Sequence, residues 1–244
     1  MILIDCGNSQ LKAQNREKGR LLASFNIRYV LAWETRFSSW LEAQNASHCC
    51  LSSVMAAKQE AVLNAMIASR FGDNTIRVDS QASCLGVTSG YEHPEQLGVD
   101  RWMALLAAHR ICQSDCMVID AGSAITLDLL KSDGTHLGGA ILAGCNTSET
   151  RLREIFHHID FDDPLIGETE MPGSSTRQAI HINYSLTSLE YLVGLVQRWG
   201  NLLGPDQELI ITGGDAQRVQ RAIDMKNRIV PDLVFQGMYQ LART

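Results

Sequence analysis

The sequence lacks any apolar run long enough to cross a membrane. No window reaches the roughly 18 uninterrupted apolar residues that a spanning helix requires. The first residues, Met1-Ile-Leu-Ile-Asp5, also lack the basic start and long apolar centre of a secretory signal, because Asp5 interrupts the run at once. We therefore expect a cytoplasmic protein with no membrane partner.

Basic stripes and paired cysteines are missing as well. The chain carries 27 acidic and 21 basic residues, for a net charge of −6, and its Lys and Arg residues form no cluster. A nucleic-acid-binding protein needs such a basic cluster, so its absence argues against this class of protein. The seven cysteines are an odd number without a CxxC pair, which favours reduced thiols. They are Cys6, Cys49, Cys50, Cys84, Cys112, Cys116 and Cys145.

Several common catalytic motifs are also absent. The chain contains neither GxxxxGK[ST] nor GxGxxG, which argues against a P-loop protein and against a dinucleotide-binding Rossmann domain. GxSxG and HExxH are missing too. What the chain does have is ordinary globular composition, with 45% hydrophobic residues over 244 positions. That length is compatible with one large domain or with two compact halves.

An internal echo favours two halves. The segments Ile2–Ser9 and Val118–Ser123 each present an apolar run, then Asp-x-Gly, then small polar residues, at an offset of 115 residues from Asp5 to Asp120. A second apolar stretch follows each of them. The pattern predicts two strand-turn-strand hairpins in two similar halves, residues 1–112 and 113–244.

Helix and strand patterns alternate in the rest of the chain. Apolar spacing predicts helices over 56–71, 101–112 (beginning near Asp100), 147–159 and 175–199. Strands are expected over 75–78 and 208–212, with a strand and Gly-rich turn over 137–144 and a loop over 160–174. This alternation indicates an α/β protein.

Three glycine turns, each at the end of a predicted strand, are candidates for nucleotide contact. They follow Asp5, Asp120 and Thr212. Glycine lets the backbone approach a phosphate closely, turn N–H groups can bind anions, and a nearby carboxylate can hold Mg²⁺ through water. Any single turn is more simply a hairpin, but three of them, two of which echo each other, favour a phosphate site.

Two other clusters have competing interpretations. Asp100, in Gly98-Val99-Asp100-Arg101, is either a helix N-cap or a general base beside an Arg that binds anions. Tyr91 could belong to the same site, but it is equally compatible with a half-buried aromatic residue in a loop. His157 and His158 are followed by three aspartates, which could form a metal site, but a solvated helix end is the favoured interpretation.

Taken together, the motifs resemble those of the type III pantothenate kinase family, over nearly the whole chain. The ordered blocks are Asp5-x-Gly7-Asn8-Ser9-x-x-Lys12, Gly90-Tyr91, Gly98-x-Asp100-Arg101-Trp102, Asp120-x-Gly122-Ser123-Ala124-x-Thr126-x-Asp128, Gly138-Gly139 and Thr212-Gly213-Gly214-x-Ala216. The family belongs to the acetate and sugar kinase/actin superfamily. The resemblance implies a duplicated ribonuclease H-like (actin-like ATPase) fold, with two mixed-sheet halves and ATP in the cleft between them.

The resemblance also implies a nucleotide and cation site. Asp5 is expected to bind Mg²⁺ through water, and Asp120 to bind a monovalent cation, K⁺ or NH₄⁺. The residues expected to bind ATP are Asp5, Cys6, Gly7, Asn8, Ser9, Gln10, Leu11, Lys12 and Ser123. Ser9 and Ser123 replace the usual Thr but keep the hydroxyl, and Ala143-Gly144 replaces a frequent Pro-Gly.

For the acceptor, the resemblance implies that Asp100 is the base acting on the primary hydroxyl of pantothenate. The residues expected to bind pantothenate are Tyr91, Gly98, Val99, Asp100, Arg101 and Thr176. In the family, the Thr matched by Thr176 reaches the pocket of the neighbouring subunit, which implies a homodimer with its acceptor pocket near the subunit interface.

The implied activity is ATP-dependent phosphorylation of pantothenate to 4'-phosphopantothenate, the first step of coenzyme A biosynthesis. One alternative is a kinase for another small hydroxylated substrate such as a sugar, although this leaves the Tyr91 and Gly98–Arg101 blocks unexplained. The other is a catalytically silent regulatory homologue, against which the intact Asp5, Lys12, Asp100 and Asp120 argue.

Overall fold

The computed structural model describes residues 1–157, 159 and 172–244. The chain forms two compact units. The first contains Met1–Ile111, Asp133–His136 and Asp232–Thr244, and the second contains Cys112–Ser132 and Leu137–Pro231. The boundary between Ile111 and Cys112 lies one residue from the predicted division between residues 112 and 113. The segments Asp133–His136 and Asp232–Thr244, later in the chain, also belong to the first unit.

A five-stranded mixed sheet forms the centre of the first unit. Its strands are β1 (Ile2–Cys6), β2 (Gln10–Glu17), β3 (Arg20–Arg28), β4 (Cys49–Ser53) and β5 (Thr75–Arg77), in the spatial order β3-β2-β1-β4-β5. The antiparallel meander β1-β2-β3 is joined on the other side of β1 by the parallel strands β4 and β5. The predicted hairpin after Asp5 is therefore confirmed.

Helices cover both faces of this sheet. On one face, α1 (Trp33–Glu42) and α2 (Ala57–Phe71) pack on Ile2, Ile4 and Cys6. The spacing of Leu63, Ile67 and Phe71 gives α2 the apolar stripe that it buries. On the other face lie α3 (Val99–Ile111) and α7 (Leu233–Leu241), where Cys50 Sγ contacts the Met238 carbonyl.

Gly237 allows α3 and α7 to approach closely. A Cβ at that position would lie 2.0 Å from the Met103 carbonyl oxygen. Helix α3 is buried on nearly all sides, including Trp102, Met103, Leu105 and Leu106. Side chains along β1 alternate between the two faces of the sheet. Leu3 and Asp5 therefore lie on the face that α3 and α7 cover.

A small hairpin completes the first unit. It joins β6 (Ser83–Cys84) to β7 (Val87–Thr88) through Leu85 and Gly86, both with positive φ. Paired positive φ values are typical of a type I′ turn. Short 3-10 turns occupy Gly72–Asn74 and Pro94–Gln96, and the second of these leads into α3.

The second unit repeats the sheet of the first. Its strands are β8 (Cys116–Ala121), β9 (Ala124–Leu130), β10 (His136–Ala143), β11 (Glu208–Thr212) and β12 (Asn227–Ile229), in the order β10-β9-β8-β11-β12. The first residue of β10, His136, belongs to the first unit. Strands β8 and β9 are antiparallel, and β11 is parallel to both β8 and β12. The two sheets thus share one strand order, which confirms the duplicated α/β architecture that the echo predicted.

One face of the second sheet packs on helices. Met117, Ile119 and Ala121 of β8 lie in a core with Leu192 and Val196. The helices of this unit are α4 (Cys145–Ile155), α5 (Thr176–Gly200) and α6 (Ala216–Ala222). As in β1, the aspartate of β8 alternates with the core residues and so lies on the opposite face of its sheet.

Most of the predicted elements are confirmed with small shifts at their ends. The helix predicted over 101–112 begins earlier, at Val99, and the helix predicted over 147–159 runs from Cys145 to Ile155. Among the predicted loop residues, 160–171 lie outside the described residues. In the part of the chain that the structure describes, no helix is both long and apolar enough to span a membrane.

Candidate functional site

The turn after β1 presents backbone and small polar groups at the end of a buried strand. Gly7 N donates to Gln10 O at 3.1 Å and closes the turn. Tyr29, just after β3, donates from Oη to Gly7 O at 3.0 Å and holds the turn in place. Asn8 and Ser9 are exposed at the tip. Their side chains and N–H groups are therefore available to a ligand, as expected of a phosphate-binding turn.

Cys6 and Leu11, which were predicted to bind ATP, place their side chains in the core. Both are 0% exposed and pack in the cluster under α1 and α2. Burial raises the pKa of the Cys6 thiol well above its usual range, so this residue stays neutral. Only the backbone of these two residues can contribute to nucleotide binding.

A polar row crosses the first sheet beside this turn. Asp5 is the register partner of Lys12 on β2 and of Ser52 on β4. Residues paired in this way present their side chains on one face, about 5 Å apart at Cβ. Asp5 is 9% exposed. Ser52 Oγ is buried and has no hydrogen-bond partner among the described residues.

These groups fit an ion such as Mg²⁺. A carboxylate and a hydroxyl provide oxygen donors, which Mg²⁺ prefers, and Lys12 adds a positive charge on the same face. Ser52 was not identified from the sequence. Cys49–Ser53 has a single large apolar residue, Leu51, so its pattern does not predict a strand.

The second sheet carries a matching row. Asp120 is the register partner of Thr126 on β9 and of Thr212 on β11. Thr212 is buried, whereas Asp120 is half-buried. Each sheet therefore places an aspartate at the end of its central strand, between polar residues of its two neighbours.

Two glycines close around the turn that follows Asp120. A Cβ at Gly213 would lie 2.5 Å from Asp120 Oδ1 and 2.4 Å from the Ala121 carbonyl oxygen. A Cβ at Gly144 would lie 2.5 Å from the carbonyl oxygens of both Gly122 and Ser123. The glycine turns after Asp120 and Thr212 thus converge within the second unit.

Two oxygens pack closely against Gly213. They are Asp120 Oδ1 and the Ala121 carbonyl oxygen, which also accepts a hydrogen bond from Asp215 N at 2.9 Å. Carboxylate and carbonyl oxygens are the ligands of alkali cations. The donor set therefore fits K⁺ or NH₄⁺. Ser123 is exposed, and its carbonyl accepts from Gly144 N and from Thr147 Oγ1.

Asp100 lies in the first turn of α3, just after the helix begins at Val99. Its Oδ1 accepts a hydrogen bond from Arg101 N at 2.8 Å and folds back over Gly98, where a Cβ would be 2.7 Å away. Gly98, not Asp100, precedes the helix and accepts from Trp102 N. The N-cap interpretation of Asp100 is therefore wrong in position, although the carboxylate does bond a helix N–H group.

Arg101 and Tyr91 form a pair beside this carboxylate. Arg101 Nη1 donates to Tyr91 Oη at 2.8 Å, and the guanidinium carbon lies 5.6 Å from the centre of the ring. Arg101 is only 5% exposed, and Tyr91 is half-buried. A buried guanidinium is costly unless it is paired. The pair therefore keeps a positive charge at a fixed place next to Asp100.

The Tyr91 ring also contacts a histidine that the sequence analysis did not select. It stacks on His136 with centroids 6.0 Å apart and planes 16° apart. His136 immediately precedes the predicted 137–144 strand and is 1% exposed. No local pattern links positions 91 and 136, so only the fold reveals the contact.

The remaining predicted residues are only partly described. Thr176 is the first residue of α5 and is exposed, and Ser175 caps the helix by accepting from Gln178 N. For the suggested metal site, His158, Asp160, Asp162 and Asp163 lie outside the described residues. The described residues contain no cluster of three His, Cys, Asp or Glu side chains suited to a metal.

Comparison with known proteins identifies the family. The model of the type III pantothenate kinase family matches residues 1–198. A type III pantothenate kinase of Azotobacter vinelandii is 33% identical, covering 98% of this chain and 96% of its own. One from Pseudomonas aeruginosa is 35% identical, covering 98% and 97%.

A solved structure shares the fold at much lower identity. The protein, from Sinorhizobium meliloti, is described as a 2-dehydro-3-deoxygalactonokinase and superposes with a TM-score of 0.64. It is 14% identical, over 99% of this chain and 95% of its own. The fold is thus that of the actin-like sugar kinases, and with the family match over most of its length, the chain belongs to the type III pantothenate kinase family.

Proposed function

We propose that the chain catalyses the reaction of its family, ATP-dependent phosphorylation of pantothenate to 4'-phosphopantothenate, with Asp100 as general base. The observation that carries the assignment of the base is the position of its carboxylate. It is held over Gly98 at the start of α3, next to the buried pair of Arg101 and Tyr91. A fixed carboxylate beside a fixed cation suits an acceptor that has both a hydroxyl and an anionic group.

The acceptor is oriented by this pair and activated by Asp100. Arg101 attracts the carboxylate of pantothenate, and Tyr91, Gly98 and Val99 shape the site around it. Asp100 takes the proton of the primary hydroxyl as that oxygen attacks the γ-phosphorus of ATP. The bond from phosphorus to the bridging oxygen breaks, ADP leaves, and the proton stays on Asp100 until solvent removes it.

The nucleotide is bound by the two aspartate turns. Lys12 and the N–H groups of residues 7–10 bind phosphate oxygens, Ser123 contacts ATP from the second turn, and Asp5 and Asp120 hold the cations. When bound, Mg²⁺ and K⁺ or NH₄⁺ supply positive charge that offsets the charge developing on the phosphoryl oxygens. A chain with net charge −6 has few cations of its own for this purpose.

Thr176 belongs to the same proposal. Its exposed position at the start of α5 suits a contact with the acceptor of a second subunit, and the functional form is then a cytoplasmic homodimer. Analytical ultracentrifugation tests the dimer. For Thr176→Val, a rise in the pantothenate KM with an unchanged sedimentation coefficient is expected.

A coupled assay of ADP release tests the activity itself. ATP and Mg²⁺ are supplied with pantothenate, or with a panel of sugars, each with and without K⁺. Turnover with pantothenate that increases with K⁺ is expected. Turnover with a sugar alone identifies a different small-molecule kinase, and no turnover with any acceptor identifies the silent regulatory homologue.

A further inference from the structure

We propose that His136 is a positioning residue of the acceptor site, which orients Tyr91 and through it Arg101. This inference rests on the proposed function and adds to it a residue from a distant part of the chain. It predicts that His136 controls affinity for the anionic acceptor and leaves affinity for ATP unchanged.

The segment that carries His136 is firmly attached to the first unit. Residues Asp133–His136 belong to that unit although the residues on either side belong to the second. Thr88 N donates to Gly134 O at 2.9 Å, and Thr88 and Thr135 form a parallel bridge. At Gly134, whose φ is +88°, a Cβ would lie 1.9 Å from the Gly86 carbonyl oxygen. This close approach fixes the backbone next to His136.

His136 makes two contacts with the loop after β7, which carries Gly90 and Tyr91. Its ring lies nearly parallel to that of Tyr91, at 16° and 6.0 Å. Its Nδ1 also accepts a hydrogen bond from Gly90 N at 3.4 Å. The stack orients the plane of the tyrosine ring, and the hydrogen bond holds the backbone before it, next to the bond from Tyr91 N to Ser89 Oγ at 3.3 Å. One side chain, His136, thus contacts both the ring and the preceding peptide.

The position of the Tyr91 ring in turn determines the position of the Arg101 guanidinium. The tyrosine hydroxyl accepts from Arg101 Nη1 at 2.8 Å, and the guanidinium lies against the same ring. Because Arg101 is 5% exposed, water cannot readily replace this contact if the ring moves. Displacement of Tyr91 therefore shifts the charge that the acceptor carboxylate meets. Asp100 remains held by Arg101 N and by the backbone of α3, so the chemical step is largely preserved.

Three substitutions separate the two contacts. His136→Ala removes both, His136→Phe keeps a ring for the stack, and His136→Gln keeps an oxygen that can accept from Gly90 N. Loss of an aromatic pair and a hydrogen bond predicts a rise of about tenfold in the pantothenate KM for His136→Ala. Smaller rises are expected for the other two. The KM for ATP and kcat should change less than twofold, and the exposed His48→Ala serves as the matched control.

A double-mutant cycle tests whether the effect passes through the tyrosine. In a Tyr91→Ala background, His136→Ala should raise the pantothenate KM by less than twofold, because the ring that it positions is gone. An undiminished tenfold effect in that background overturns the proposal, as does an equal loss for both substrates. Wild-type turnover with pantothenate is measured in the same series, so failure of the proposed function appears as an inactive wild type and is distinct from failure of this inference. If His136→Ala does not fold, the Phe and Gln variants decide by the same KM criterion.

Discussion

Asp100 Oδ1 occupies space over Gly98 that no other residue type would leave free. A Cβ at Gly98 would lie 2.7 Å from this oxygen, so Gly98→Ala must displace the carboxylate or the start of α3. We expect kcat with pantothenate to fall about 10²-fold, since small misplacement of a catalytic group has effects of that size.

A matched control is available for this substitution. Gly194, within α5, has no atom within 4 Å of an added Cβ, so Gly194→Ala should leave kcat unchanged and stabilise the helix by about 1 kcal/mol. Equal kcat for Gly98→Ala and the wild type would show that the carboxylate need not stay where the structure places it.

Replacement of Asp100 tests the base directly. Asp100→Asn keeps the size of the side chain but removes the group that accepts a proton. Turnover should fall about 10²- to 10⁴-fold. Pantothenate binding, measured by isothermal titration calorimetry, should change little, because Arg101 and Tyr91 remain. Near-normal kcat would exclude Asp100 as the base.

The response to potassium tests Asp120. Its Oδ1 and the Ala121 carbonyl oxygen both lie against Gly213, and removing the negative charge should weaken the binding of a cation by these two oxygens. Asp120→Asn should therefore lose the stimulation of kcat by K⁺, measured by titrating KCl against a constant ionic strength of tetramethylammonium chloride. Thr244→Ala, at an exposed site in the other unit, serves as the control. An unchanged K⁺ response in Asp120→Asn rejects the assignment.

Asp115 is expected to link stability to pH. Burial raises the pKa of its carboxyl, but hydrogen bonds from Lys131 Nζ (2.8 Å), Ser132 N (2.8 Å) and Gly204 N (2.9 Å) outweigh this and lower it to about 2 from 3.8. Because the pKa of Asp115 is lower in the folded state, its carboxylate contributes its full stabilisation at pH values above the unfolded pKa near 3.8. The stabilisation is lost as the pH falls through about 2.

Asp115→Asn should therefore lower the free energy of unfolding by about 2 kcal/mol at pH 7. The difference from the wild type should shrink as the pH is lowered from 4 towards 2. Urea denaturation over this range measures it, with the exposed Asp206→Asn as control. A difference that stays constant down to pH 2 contradicts the prediction.

Cys112 should be the most reactive of the buried cysteines. A hydrogen bond from the Cys116 thiol lowers the pKa of Cys112, and Arg228 Nη2, 3.6 Å from its Sγ, adds to this effect against the opposing effect of burial. Burial raises the pKa of Cys6, Cys49, Cys50 and Cys145. Since the thiolate is the nucleophile, iodoacetamide at pH 7 should label Cys112 before those four, as mapped by mass spectrometry. Arg228→Gln should slow the labelling, and an equal rate in that variant would be evidence against this environment.

Much of the fold was predictable because the same sequence pattern occurs in both halves of the chain. The Asp-x-Gly echo marks the same hairpin in both sheets, and the alternation of Ile4 and Asp5 recurs in Ile119 and Asp120. Elements that have neither this repeat nor a clear apolar period were missed, namely β3, β4, α1, β6, β7, α6, β12 and α7. In β4, two cysteines and two serines surround a single Leu51, so its composition does not favour a strand even though it is almost entirely buried.

The site was predictable where its residues are close in the chain. Gly98, Asp100 and Arg101 lie in one turn, so the sequence itself places a carboxylate next to a cation, although spacing alone left a helix N-cap open for Asp100. Ser52 and His136 could not be found in this way, because strand register brings the first beside Asp5 and a returning segment brings the second beside Tyr91. Long-range pairings of this kind leave no local periodicity.

The position of α7 has a consequence for biosynthesis. This helix, Leu233–Leu241, covers the face of the first sheet formed by the earliest strands, with Cys50 against Met238 and Gly237 against Met103. The N-terminal sheet therefore emerges from the ribosome well before the helix that covers it. Until about 230 residues have been translated, Leu3, Cys50 and one side of α3 lack their native cover, and apolar surface left exposed in this way favours aggregation during synthesis.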